Sequence, residues 1–130
     1  MDELKFVNQL ENNGELFYQN FKKLGDFYNL RHKNKVLDYI SNHKGIIVLL
    51  NELKPHLVKN FPNAKFDLTY YTDPESDKFS HIILYVKVDE YTFDNGVMDG
   101  IDAIFWDFVP LMQKLEVISN FSLMPALYNC

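Results

Sequence analysis

At 130 residues and 15.4 kDa the chain has room for one domain, which at this size buries about two-thirds of the surface its unfolded form exposes. A net charge of −5 works against bulk attraction to nucleic acid or anionic lipid, because both need clustered Lys and Arg. A single cysteine, Cys130, excludes an intrachain disulfide and a cysteine metal site, and it suits a reducing cytoplasm.

The opening stretch, MDELKFVNQLENN, is acidic and has no cationic segment ahead of an apolar run, so it does not read as a signal peptide. Asp2 or Glu3 opens a first short helix, with Phe6, Val7 and Leu10 on one face and a stop at Asn12-Asn13-Gly14. A second helical pattern places Phe17, Phe21 and Leu24 at steps of four and three, ending at Gly25. Phe27, Leu30, Leu37 and Ile40 predict one or two further helices between Asp26 and Ser41.

Ser41 to Gly45 is turn chemistry, and after it Ile46, Ile47, Leu50, Leu53, Leu57 and Phe61 recur at helical spacing. That predicts a helix from about Gly45 to Asn60, kinked or restarted near Asn51 to Lys54 because Pro55 lacks a backbone donor. The longest apolar run, Gly45 to Leu50, falls far short of the ~18 residues a membrane span requires. A soluble, cytoplasmic protein without membrane association is expected.

Lys65 to Val88 predicts a long β-hairpin around a polar loop, Thr72 to Lys78. Phe66, Leu68 and Tyr70 alternate with Asp67, Thr69 and Tyr71; Ile82, Leu84, Val86 and Val88 alternate with His81, Ile83, Tyr85 and Lys87. One face is thus apolar and covered, the other wetter, and a one-residue slip would invert them. Thr92 is the expected N-cap of a helix from about Phe93 to Val109, with the stripe Val97, Ile101, Ile104 and Phe108 and a stop at Pro110. Gly96 and Gly100, with Ala103, are expected to let this helix approach another element closely. Glu116 to Phe121 reads as a third strand, and Met124-Pro125 as the start of an irregular tail.

The expected fold is one α+β domain over 1–130: N-terminal helices followed by a β-β-α-β unit. Its three-stranded mixed sheet has helices on one face and the strand order second–first–third. The crossover helix makes the second and third strands parallel.

VLDYI (Val36 to Ile40), FPNAKFDL (Phe61 to Leu68), DPE (Asp73 to Glu75), IILYV (Ile82 to Val86) and FWD (Phe105 to Asp107) occur in an order that resembles an uncharacterised prokaryotic family of short α+β proteins. Asp102 and Trp106 match the spacing of that family's Asp and Trp near a helix end. The chain departs from it at Phe105, where a second Trp or an acid often stands, and in its two helix glycines. The resemblance spans about two-thirds of the chain (Lys35 to Phe121) and implies a fold, with no activity, cofactor or catalytic residue attached.

Several groupings invite chemistry. Asp73, Glu75 and Asp77 bring three acids to the hairpin loop, but without the central Gly and closing Glu of a calcium loop they read as turn residues. Asp94, Asp99, Asp102 and Asp107 fit a solvated helix face better than an acid–base pair. His32, His43, His56 and His81 lack the spacing of a helical metal site, and Cys130 has no visible activating partner. Arg31 to Lys35, with Lys22, Lys23, Phe27 and Tyr28, forms the densest basic and aromatic region, which in so acidic a chain reads as a solvated loop.

Two surfaces remain. Tyr71, Ile83 and Tyr85 on the wetter hairpin face are a candidate interaction surface, since Tyr is enriched at binding hot spots. Tyr70, Tyr85 and Trp106 are candidate walls of a pocket between sheet and helices. The leading expectation is a non-enzymatic interaction protein that binds a protein partner or a second copy of itself, in the manner of a bacterial defence or toxin–antitoxin accessory. No catalytic, metal or cofactor residues and no nucleic-acid partner are expected. The alternative is a small-molecule binder or an enzyme built on that pocket.

Overall fold

The computed structural model describes residues 2–129, apart from the side chains of residues 76–79, so Cys130 and the Asp77 side chain lie outside the described residues. Helix α1 (Glu3–Asn12) begins where the Asp2 carboxylate accepts the Leu4 N–H at 3.0 Å, and α2 (Gly14–Leu24) where the Asn13 side chain accepts that of Leu16 at 3.0 Å. Both caps satisfy donors that a helix start leaves unpaired. There follow β1 (Asn29–Leu30), α3 (Lys33–Ser41), α4 (Gly45–Asn60), β2 (Lys65–Asp73), β3 (Ser76–Val88), α5 (Glu90–Asp94), α6 (Val97–Lys114) and β4 (Phe121–Leu127).

The four strands form one mixed sheet in the order β1-β2-β3-β4: β1 parallel to β2, β2 antiparallel to β3, β3 parallel to β4. The α+β class and the parallel pairing of the second hairpin strand with the last strand agree with the sequence. The strand count and order do not. β1 was expected to be helical, but Asn29 and Leu30 pair with Asp67 and Leu68. With β1 along the outer edge of β2, the edge left for β4 is that of β3, which replaces the order second–first–third.

Several boundaries also move. The hairpin loop contracts to a turn at Pro74 and Glu75, where the Asp73 carboxylate accepts the Glu75 N–H at 2.8 Å. Asp89, not Thr92, caps the helix after β3, accepting the Thr92 N–H at 2.8 Å; Gly96, at φ +100°, then separates α5 from α6. α6 continues through Pro110 to Lys114. Proline deprives the Trp106 carbonyl of its helical donor, and Trp106 is on the solvent side, 70% exposed. The last strand is Phe121–Leu127, not 116–121, because Glu116 turns the chain at φ +58°. Pro125 fits within it, opposite Val86, because an edge strand has one side free of ladder bonds.

Phe66, Leu68, Ile82, Leu84, Val86, Phe121 and Leu123 line the inner face of the sheet and share one core with Phe17, Phe21, Leu24, Ile40, Leu50, Leu57, Ile101 and Ile104 of the helices. The Phe27 ring stacks on Phe66 at 5.3 Å, and the buried Tyr28 hydroxyl donates to the Leu50 carbonyl at 2.6 Å, tying the α2–β1 connection to α4. Each fully buried Leu or Ile contributes roughly 1.5–3 kcal/mol, which fixes the strand register. Side chains of the opposite register, Thr69, Tyr71, Ile83, Tyr85, Lys87 and Met124, stand outside that core and form an outer face.

Candidate functional site

The outer face carries a charged cluster at the end where β1 joins the sheet. Asp67 on β2 is 3% exposed, and among the described residues it is the only buried charged one. Its carboxylate accepts the Asn29 amide N–H at 3.2 Å and lies 3.3 Å from Lys87 Nζ and 4.0 Å from an Arg31 guanidinium nitrogen. Each partner arrives by a different route. Asn29 is the register partner of Asp67 across the β1–β2 pair, Arg31 follows two residues later, and Lys87 is the diagonal neighbour on β3, two residues beyond Tyr85. A buried carboxylate is costly unless paired and hydrogen-bonded, and here it is both.

Beside this cluster lies a cavity of about 430 Å³. Arg31 lines it from the β1 end after crossing over Asp67; Tyr85 and Lys87 come from β3, Pro125 to Leu127 from β4, and Phe93 from α5. The Asp89 cap and the Gly96 break make α5 a separate short helix against β4, and this places Phe93. Two cations and two aromatic residues therefore line one concavity of ligand size, with the internal Asp67 carboxylate behind the cations.

Tyr71, Ile83 and Tyr85 all fall on the outer face; Tyr71 is 42% exposed and pairs with the His81 ring at 5.2 Å. The expected pocket trio does not come together. Tyr70 belongs to the opposite register from Tyr85, its ring packing on Tyr39 at 5.4 Å, while Trp106 is on the solvent side of α6. The cavity keeps Tyr85 and takes its other walls from β4, α5 and Arg31.

The remaining groupings disperse. Asp94, Asp99, Asp102 and Asp107 are exposed on α5 and α6. His32 precedes α3, His43 stacks on Tyr39 at 4.3 Å, His56 packs edge-on to Phe108, and His81 lies on β3. Among the described residues no three His, Cys, Asp or Glu side chains gather as a metal-binding group, and no helix is long and apolar enough to cross a membrane. Of the basic region, Lys22 and Lys23 occupy the last turn of α2, Lys33 and Lys35 lie on α3, and Arg31 turns to the Asp67 cluster.

Asn29, Asp67 and Phe93 were not among the sequence candidates for a site. One signal was available: the alternation puts Asp67 and Lys87 on the same hairpin face, and pairing them diagonally would have marked an ion pair. Nothing comparable announces β1 or the position of Phe93.

Fold and site together define a small α+β protein with a helix-covered inner sheet face and a ring-lined, cationic cavity on the outer one. No family model matches the chain, and no curated protein or solved structure matches it. The family resemblance rests on its short phrases alone.

Proposed function

We infer that this chain works by binding, and that the outer-face cavity takes a small organic ligand. The carrying observation is the concavity of about 430 Å³, walled by the rings of Tyr85 and Phe93 and by the stems of Arg31 and Lys87. Ligand sites combine apolar walls with a few placed polar groups, and here Asp67 pairs closely with Lys87 and more loosely with Arg31. A ligand-observed NMR screen of aromatic fragments tests the reading. Fragments should bind the wild type and lose binding in Tyr85→Ala; fragments that bind both proteins equally, or none that bind, would refute it.

A second reading, a homodimer through the outer face, has its own support. Tyr71 and Met124 are 42% and 44% exposed there, whereas Ile83 on the same face is buried. The same face carries Lys65, Lys87 and Arg31, which would form the polar rim of such a contact. Sedimentation velocity across a concentration series checks this. Dimerisation should appear and weaken in Tyr71→Glu, whereas a monomer at every concentration excludes it.

A further inference from the structure

The charges lining the cavity, Arg31 and Lys87, and the neighbouring Lys65 point to a narrower ligand class. Lys65 and Lys87 are direct register partners across the antiparallel β2–β3 pair, on one face, in a chain of net charge −5. Like charges placed opposite each other weaken a sheet. Arg31 adds a third cation, and the only acid buried among them is Asp67. Lys87 meets that carboxylate at 3.3 Å; Arg31 meets it through one nitrogen at 4.0 Å, beyond hydrogen-bond length, and is 45% exposed while lining the cavity. The carboxylate therefore anchors the cations without saturating the guanidinium, whose planar fork suits an oxyanion.

Tyr85 and Phe93 supply ring surface in the same cavity. A cation-rich end beside aromatic walls favours a ligand with a negatively charged head and a flat apolar body. We propose that the cavity binds a small aromatic oxyanion, a carboxylate or phosphate monoester attached to a ring, with Arg31 and Lys87 holding the charged head. This rests on the small-ligand reading above and deepens it.

Calorimetric titration with four probes tests the inference: phenyl phosphate, benzoate, indole as a neutral ring, and inorganic phosphate as an anion without a ring. Phenyl phosphate or benzoate should bind more tightly than indole or inorganic phosphate. The tighter of the two identifies which oxyanion the head group prefers. Arg31→Gln, at a half-exposed site, should weaken the aryl anion about tenfold or more, the scale of one charge-assisted hydrogen bond, and leave indole unchanged. Added salt should weaken the anion in the same selective way. Indole binding as well as the aryl anions, with no effect of Arg31→Gln, overturns the anion assignment but keeps the cavity as a ligand site. No binding by any ring-bearing probe overturns both. Inorganic phosphate matching phenyl phosphate would remove the aromatic body from the proposal.

Discussion

Tyr28 is a phenol held away from water, and its ionisation is a gauge of the core. Burial pushes its pKa far above the ordinary tyrosine value, and its proton is committed to the Leu50 carbonyl at 2.6 Å. Tyr39 is raised in the same direction by burial, against the opposing hydrogen bond from Asn120. A raised folded-state pKa means that the stabilisation is complete below the unfolded value, near 10, and is lost as pH rises above it, because the unfolded chain ionises first. Denaturation followed from neutral to alkaline pH should show stability falling above about pH 10, with a shallower fall in Tyr28→Phe. An identical slope in the two proteins would contradict this role. At neutral pH the same substitution should cost about 0.5–1.5 kcal/mol for the lost hydrogen bond.

Asp67 is the other residue whose environment decides its role. Asp67→Ala leaves the Asn29 amide without its acceptor and Lys87 and Arg31 without their shared counter-charge, and should cost about 1–3 kcal/mol in urea denaturation. The loss stays below that of breaking a fully buried pair because Arg31 is half exposed and can turn to water. Asp99→Asn, on the exposed face of α6, should change stability by no more than about 0.5 kcal/mol. Equal costs at the two positions would mean that the Asp67 cluster is an ordinary surface ion pair.

Among the elements, α6 and the segment between α4 and β2 meet where Gly100 faces Phe61. A methyl group at position 100 would stand 3.0 Å from the ring's Cζ, and Phe61 is buried. Alanine gains about 1 kcal/mol of helix propensity over glycine. Overpacking a well-filled site costs about 1–3 kcal/mol. Gly100→Ala should therefore be neutral to destabilising, and Phe61→Leu in the same chain should reverse the loss; a clear stabilisation by Gly100→Ala alone would show that the ring yields freely. Gly96 serves differently, since its φ of +100° suits glycine whatever space surrounds it.

Long amphipathic elements were legible for the same physical reason that they are stable. α4 runs from Gly45 to Asn60 and the hairpin from Lys65 to Val88, as their spacing predicts, because buried Ile46, Leu50 and Leu57 and the alternating Ile82, Leu84 and Val86 each write a period into the sequence. What was hidden has no period. Two residues of β1 cannot show an alternation, and their pairing with Asp67 and Leu68 depends on where α2 and α4 deliver the chain. Pro110 and Pro125 were read as breaks, whereas a solvent-side carbonyl in α6 and an edge position in β4 accommodate them.

Across the whole molecule, helices cover the inner sheet face and leave the outer face to its own side chains. The site was legible only in fragments. The face holding Tyr71, Ile83 and Tyr85 follows from alternation, but its cavity depends on three contacts between distant segments: Arg31 over Asp67, Lys87 beside it, and Phe93 at the rim. Trp106 was expected to wall a pocket with Tyr70 and Tyr85, yet at 70% exposure on α6 it takes no part in that arrangement.

Amide chemical-shift mapping of the full chain, titrated with ring-bearing fragments, tests the central claim most directly. Binding in the outer-face cavity predicts perturbations gathered at Arg31, Tyr85, Lys87, Phe93 and Ala126, with α1 and α2 unmoved. Perturbations centred on Trp106 and the exposed side of α6, or none at any fragment concentration, would contradict it.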